Sequence, residues 1–280
     1  VRLIQVSDTH LSATHTYFAM NWAAFAADIA AKKPDVIVHT GDIAFNAPAA
    51  PADLAYGRAA MDALRTPWRA IAGNHDVGEA PAFSRLNQYI TDETRAAWRT
   101  HIGPHWWKHD FSNWRLIGLD TALMGSDLPA EAAQTEFFRE ALAARDRRPV
   151  MVFVHMPPYD DTPEDPKWTT AVMPYGPRME FLDLCAAGGV KIIACGHAHL
   201  YRQQRYRDMR IVWAPATAMV DFRRTRLRTG RVARAGYLEW MFIGLEAIHT
   251  LVTPPRMFSI DMTGWTSVNG GTVTNLPPYP

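Results

Sequence analysis

Cysteine is nearly missing from this 280-residue sequence, with Cys185 and Cys195 its two examples. One falls in an expected helix and the other in an apolar run, so both read as reduced core thiols, and a disulfide framework is excluded. No apolar run approaches the length of a membrane span. Net charge is almost absent at +1, while 48% hydrophobic and 20% charged residues exclude disorder as the main state. There is no internal repeat and no low-complexity tract. These absences leave a globular α/β protein, and a cytoplasmic enzyme fits them best. Residue 1 is Val, so a leader removed ahead of it is compatible with this reading.

The small net charge hides an uneven distribution. Residues 201 to 234 hold ten arginines against Asp208 and Asp221, a local +8 that leaves −7 for the remainder. Such a band suits a phosphate-bearing ligand or an acidic surface, and equally a solvated loop or the interface of a homo-oligomer. Nothing in it resembles an arginine-rich helix that reads DNA grooves, so nucleic acid is not an expected partner.

Apolar runs at 3–6, 36–39, 68–72, 115–119, 150–154, 190–195 and 210–213 read as strands, with helices expected over 17–31, 52–65, 92–101, 131–145 and 178–187. The opening is a βαβ unit, which predicts parallel pairing there. Trp98, Trp106 and Trp107, with His101, His105 and His109, form an aromatic patch that reads either as a cap or lid over a site mouth within 81–114 or as a peripheral cluster of core aromatics. Tyr159 to Pro174 reads as a mobile surface connection. Residues 237–243 and 248–252 alternate as antiparallel strands would, and 253–280 reads as an extended tail. The simplest partition is a catalytic domain over 1–220, with the C-terminal strands and tail over 221–280 packing on the body or on a neighbouring subunit.

The informative residues stand where strands end: Asp8 and His10, Asp42, Asn74 and His75, His155, and finally His197 and His199. Taken singly each has an ordinary reading, since an Asp caps a turn and a His packs in a core. In a parallel sheet, however, these ends lie side by side, where α/β folds keep their chemistry. Asp8 and His10, two apart on extended backbone, would point the same way. Imidazole, carboxylate and carboxamide without thiolate suit Zn, Fe or Mn. Seven of these eight groups already exceed one ion, and two ions sharing a carboxylate would use seven, with Asp42 the natural bridge.

Read together, Asp8-Thr9-His10, Gly41-Asp42, Gly73-Asn74-His75-Asp76, His155 and Gly196-His197-Ala198-His199 resemble the five signature motifs of the calcineurin-like metallophosphoesterases, in order and without substitution at a ligand position. The resemblance spans residues 3 to about 217. It implies an α/β (α+β) fold, a four-layer αββα sandwich of two mixed sheets flanked by helices. It also implies two divalent metal ions, with Asp8, His10, Asp42 and His199 on one and Asp42, Asn74, His155 and His197 on the other. Asn74 and His75 would then contact the phosphoryl group, and His75, not a ligand, would protonate the leaving alkoxide.

The Asn-His-Asp form and overall length resemble the bacterial class III cyclic-nucleotide and glycerophosphodiester phosphodiesterases. The expected activity is hydrolysis of a small phosphodiester by in-line attack of a hydroxide shared between the ions. The alternatives are a phosphomonoesterase or nucleotide pyrophosphatase of the same chemistry, or a non-catalytic protein-binding scaffold. A homodimer is compatible with the alternating C-terminal strands.

Overall fold

The computed structural model describes residues 1–81, 84, 87–166, 169–222, 230–261, 266–268 and 272–274. The first apolar run becomes β1 (Arg2–Val6), and the stripe of Ala24, Phe25 and Ile29 becomes the buried face of α1 (Ala19–Lys32). That helix stops where Lys33 turns left-handed at φ 49° and gives its N–H to Ile29 O, one residue before Pro34. Then come β2 (Val36–His39), α2 (Ala52–Asp62) and β3 (Trp68–Ala70), and β1, β2 and β3 pair in parallel as their alternation with helices requires. Two late strands, β11 (Tyr237–Ile243) and β12 (Glu246–Val252), extend this sheet antiparallel in the order β12-β11-β1-β2-β3.

The second sheet is built from β4 (Trp107–Phe111), β5 (Trp114–Gly118), β6 (Val150–Phe153), β7 (Val190–Cys195), β8 (Tyr201–Tyr206), β9 (Met209–Trp213) and β10 (Arg231–Val232). Its order is β10-β8-β9-β7-β6-β5-β4, parallel from β9 to β5 and antiparallel outside them. A separate hairpin, β13 (Thr266–Val268) with β14 (Thr272–Thr274), lies in the stretch expected to be an extended tail.

Burial follows from the two-residue period of the strands. Leu3, Val38, Trp240 and Phe242 of the first sheet face Leu116, Met151, Phe153, Ile192 and Val212 of the second. The outer face of the second sheet is covered by α5 (Pro129–Ala143) and α6 (Tyr175–Ala187) through Phe138, Leu142, Phe181 and Leu182. The outer face of the first is covered by α1 through Phe25 and Ile29, and by Met61 of α2. This is the expected αββα sandwich. Each such large side chain withdrawn from water contributes about 1.5–3 kcal/mol.

One polar residue crosses the interior. Gln5 gives its amide to Thr40 Oγ1 at 3.4 Å and Cys195 O at 3.3 Å, and accepts the Trp240 indole N–H at 3.0 Å. It thereby pins the end of β2 to the end of β7, immediately beneath the strand-end cluster.

In the segment 81–114 the described aromatics match the core-cluster reading and not the cap. Trp98, in α4 (Asp92–His101), and Trp107 are both buried, and Trp107–Phe111 is an edge strand. His105 is tied between Asp120 Oδ2 at 2.6 Å and Arg95 O at 3.2 Å. These aromatics therefore close the core and do not overhang the site. The loop after β6 is a surface connection through its middle, where Asp161, Thr162, Glu164, Asp165 and Pro166 are exposed, and its ends are anchored by buried Tyr159, Val172 and Met173. Both cysteines are free and buried, as expected.

Candidate metal centre

The strand ends converge as the motif order implied. Asp8 and His10 follow β1, Asp42 follows β2, and Asn74 and His75 open α3 (Asn74–Val77), a single turn after β3. His155 follows β6, and His197 and His199 follow β7. Two groups of possible ligands result, Asp8, His10, Asp42 and His199 in one and Asp42, His155 and His197 in the other, with Asp42 in both.

In the first group His199 Nε2 lies 3.2 Å from Asp8 Oδ1 and 3.5 Å from His10 Nε2, while His10 Nε2 lies 3.8 Å from Asp42 Oδ2. In the second, His155 Nε2 is 3.3 Å from Asp42 Oδ2, 3.2 Å from Asn74 Oδ1 and 3.2 Å from His197 Nδ1. Asn74, a carboxamide, thus joins the second group. His75 stands beside them, its ring edge-on to His10 at 4.7 Å.

The imidazoles are held by their second nitrogens. His155 Nδ1 donates to Thr40 O at 2.8 Å and His197 Nε2 to Thr170 O at 2.7 Å. Each carbonyl fixes the tautomer, leaving the inward nitrogen as a lone pair. His155 Nε2, His197 Nδ1, Asn74 Oδ1 and Asp42 Oδ2 are then four acceptors within one small volume. Only a proton or a cation relieves that crowding.

Ionisation reflects it. Burial by itself would depress His155, but the carboxylates of Asp42 and Asp8 overcome this and hold it up at about 10. Burial would likewise raise Asp42, yet His155, His75 and His10 keep it well below the usual carboxylate range. His10 is pushed well below its ordinary value by burial and then by His75. Without a metal, the site is a cluster sharing very few protons.

The backbone is unusual at the same positions. Asp8, His10, Asp42, His197 and His199 all have positive φ, between 45° and 63°. The sequence reading placed Asp8 and His10 on extended backbone, and the structure corrects this: left-handed turns aim them inward, a conformation of higher energy that a functional site retains. Gly41 shows how closely the strand ends approach. Its φ is 95°, and a Cβ there would stand 2.4 Å from His155 Nδ1 and 2.9 Å from Gly73 Cα. Gly41→Ala is expected to lower unfolding free energy by about 2–6 kcal/mol from strain and overpacking together, measured by urea denaturation. A shift under about 0.5 kcal/mol would contradict the close approach.

Several supporting residues carried no assignment from sequence. Asp76, buried, accepts the N–H groups of Gly73, Asp42, Ile43 and Ala44 at 2.8–3.3 Å, clamping the loop after β2 onto the loop after β3. Burial and the neighbouring Asp42 charge raise it to about 7. His39, held down to about 3 by burial, is neutral: its Nδ1 accepts the Gly41 N–H at 3.2 Å and its Nε2 meets Thr9 Oγ1 at 3.0 Å. A polar residue inside an otherwise apolar strand was the available signal for His39. For Asp76 it was the acidic residue two after Asn74.

Beside the second group lies a cleft of about 410 Å³, part of it open to solvent. Asn74 and His155 line it, Thr121 and Thr170 offer hydroxyls, and Met124, Met156 and Val172 supply apolar wall, with Glu79 the acidic member. Thr170 and Val172 come from the loop after β6, which is therefore a wall of the site.

The fold and this arrangement have known counterparts. A family model described as calcineurin-like phosphoesterase matches residues 1–201. The chain resembles the solved structure of GAP50, the anchor in the inner membrane complex of Plasmodium, with a TM-score of 0.63 at 14% identity over 93% of this chain and 86% of that one. It also resembles the purple acid phosphatase PPD1 of yellow lupin seeds, with a TM-score of 0.65 at 15% identity over 89% of this chain, and it spans 51% of the lupin chain's length. A dimetal phosphatase from Danio rerio superposes with a TM-score of 0.56 at 12% identity over 90% of this chain and 99% of that one. At these identities the likenesses speak for the fold alone. No curated protein sequence matches the chain. The family match covers the strand ends through His199, and with His and Asp groups able to hold metal, the chain belongs to the calcineurin-like phosphoesterases, hydrolases of phosphate esters.

Proposed function

We propose that the chain is a binuclear metal-dependent phosphodiesterase acting on small diesters of the cyclic-nucleotide or glycerophosphodiester type. The observation that carries this reading is the sharing of Asp42 by two groups of inward donors. Asp8, His10, Asp42 and His199 would hold one divalent ion, and Asp42, Asn74, His155 and His197 the other. The residues fit such ions: buried Asp8 Oδ1 accepts no hydrogen bond although His199 Nε2 is 3.2 Å away, and Asp42 Oδ2, Asn74 Oδ1 and His197 Nδ1 converge on the one position that the His155 Nε2 proton holds in the metal-free site. The mixed N and O set suits Mn, Fe or Zn. When bound, the two ions supply Lewis acidity that neutralises a phosphate ester and acidifies water near it.

The chain's own groups do the remainder. Asn74, with its oxygen toward His155, has its amide N–H2 to offer to a phosphoryl oxygen. His75 is positioned by its backbone N–H on Asp42 Oδ1 at 2.8 Å and by Nδ1 donating to Phe45 O at 2.8 Å, so its Nε2 is the atom that holds and delivers a proton. The mostly apolar cleft beside them supports a diester. Its described lining has a carboxylate, Glu79, and no lysine or arginine, which suits a monoanion better than a doubly charged monoester.

The deciding assay is bis-nitrophenyl phosphate against nitrophenyl phosphate, after reconstitution with Mn, Fe, Zn or Co in turn. Faster turnover of the diester is expected. Preference for the monoester would replace this reading with a phosphomonoesterase, and no uptake of any ion would favour a scaffold.

A proton balance follows from His155. Because the metal-free site keeps it protonated up to about pH 10, an ion entering near neutral pH must displace that proton. Metal uptake is therefore expected to release protons and to weaken as pH falls. Calorimetric titrations with Mn in buffers of different ionisation enthalpy measure the number released, and a value of zero would contradict the assignment of His155.

A further inference from the structure

The arginine-rich stretch divides in the fold. Arg202 and Arg231 are bound to Asp160 and Asp161, and Arg207 to Asp183 at 2.9 Å. Arg223, Arg224, Arg226 and Arg228 lie outside the described residues. Arg205 and Arg210 go elsewhere, into a groove they share with Arg145, Arg147, Arg148 and Lys191. Against these six cations the groove has two acids, Asp208 and Glu246.

Three observations separate this groove from an ordinary solvated face. The first is position: Pro149, Gly189 and Arg210 line it, and these stand at the amino-terminal ends of β6, β7 and β9. It lies across the sheet from the metal centre, which sits at the carboxyl ends. The second is pairing. Arg148 has Asp110 at 3.5 Å and Asp146 at 3.8 Å, but among the described residues Arg145, Arg147, Lys191 and Arg205 have no carboxylate within ion-pair distance. The third is register, since Arg205 on β8 is the direct cross-strand partner of Arg210 on β9. Like charges directly opposite destabilise a strand pair. Arg210 is accordingly driven below its ordinary value, by burial and then by Arg205. An anion shared between the two guanidinium groups removes that penalty.

We propose that this groove is a second binding site, for a ligand carrying several phosphate groups. Guanidinium forks bind phosphate oxygens in pairs, and the cations approach from three directions: the turn after α5, the start of β7, and the β8–β9 ladder. The same chemistry is presented by a free polyphosphorylated solute and by a phosphoinositide headgroup in a membrane. Leu245, on the rim and 67% exposed, with Ile243 and Ile248 also exposed on its hairpin, makes the second source worth a separate arm.

The test uses the metal-loaded full chain and measures binding only, so it succeeds or fails independently of the proposed activity. Myo-inositol hexasulfate, a polyanion that phosphoesterase chemistry does not consume, is titrated calorimetrically. Vesicles of phosphatidylcholine with and without phosphatidylinositol bisphosphate are sedimented with the protein. Wild type is expected to bind, more weakly as salt shortens the screening length from about 30 Å at 0.01 M to about 8 Å at 0.15 M. Arg205→Glu and Lys191→Glu, both at exposed positions, are each expected to weaken binding about tenfold or more while keeping metal content and melting temperature. Loss in the hexasulfate arm assigns a soluble ligand, and loss confined to the vesicle arm assigns the headgroup. Absence of binding in both arms at low salt, or equal binding by the charge-reversed variants, overturns the site.

Discussion

Asp42→Asn is expected to leave the protein folded, with no more than one equivalent of tightly held metal and turnover reduced by on the order of 10³ or more. The isosteric change keeps an oxygen in place to accept the His75 N–H, as Asp42 Oδ1 does at 2.8 Å. What it removes is the negative charge facing His10 Nε2 at 3.8 Å and His155 Nε2 at 3.3 Å. Both groups of donors then lose the anionic charge they share. The loss does not have to unfold the chain, because His155 can answer it by giving up its proton. Asp42 is the first of the groups that hold it up against burial, ahead of Asp8 and Thr40 O, so the imidazole's hold on the proton weakens once Asp42 is uncharged. Metal analysis after dialysis, with rates on bis-nitrophenyl phosphate, checks both halves. Two retained equivalents with a wild-type rate would show that Asp42 is no bridge.

That Asp42 stood at the centre was legible before any coordinates, since it ends the second strand of a βαβ opening and parallel strands bring their ends together. Its aim was not legible. A φ of 57° at Asp42, like 53° at Asp8, is imposed by contacts from other strands and leaves no mark on local sequence. The same holds for the groups that fix the imidazoles. Thr40, Thr170 and Phe45 act through main-chain oxygens, which every residue possesses, so their identities carried no signal. Side chains that converge at the strand ends were readable, and the backbone that orients them was not.

The sheet shows a similar division. Trp107-Lys108-His109-Asp110-Phe111 alternates buried and exposed, and a two-residue turn, Ser112-Asn113, joins it to β5. That is a hairpin pattern, masked by a concentration of Trp and His that drew attention to a surface role. The two strands at 237–243 and 248–252 were readable as strands, unlike β10, β13 and β14, yet their position in the sheet was hidden. A pairing of Leu3 with Trp240 spans nearly the whole chain, and periodicity does not encode the partner of a strand.

His75→Ala is expected to keep both ions, lose about 10²–10⁴ in turnover on alkyl diesters, and lose much less on nitrophenyl esters. The difference follows from the leaving group, because an alkoxide must be protonated as it departs while nitrophenolate is stable as an anion. His75 can deliver that proton from Nε2, its Nδ1 being committed to Phe45 O at 2.8 Å. Truncation leaves the backbone N–H on Asp42 Oδ1 and so leaves the metal ligands in place. It does remove the ring packed edge-on against His10 at 4.7 Å, which is why metal content must be measured on the same preparation. A second variant separates proton transfer from hydrogen bonding. His75→Gln keeps an N–H donor able to contact a phosphoryl oxygen but cannot release a proton, so it should recover nitrophenyl ester turnover and leave alkyl diesters slow. Equal losses on both ester types in both variants would make His75 a residue that positions the ester and takes no part in its protonation.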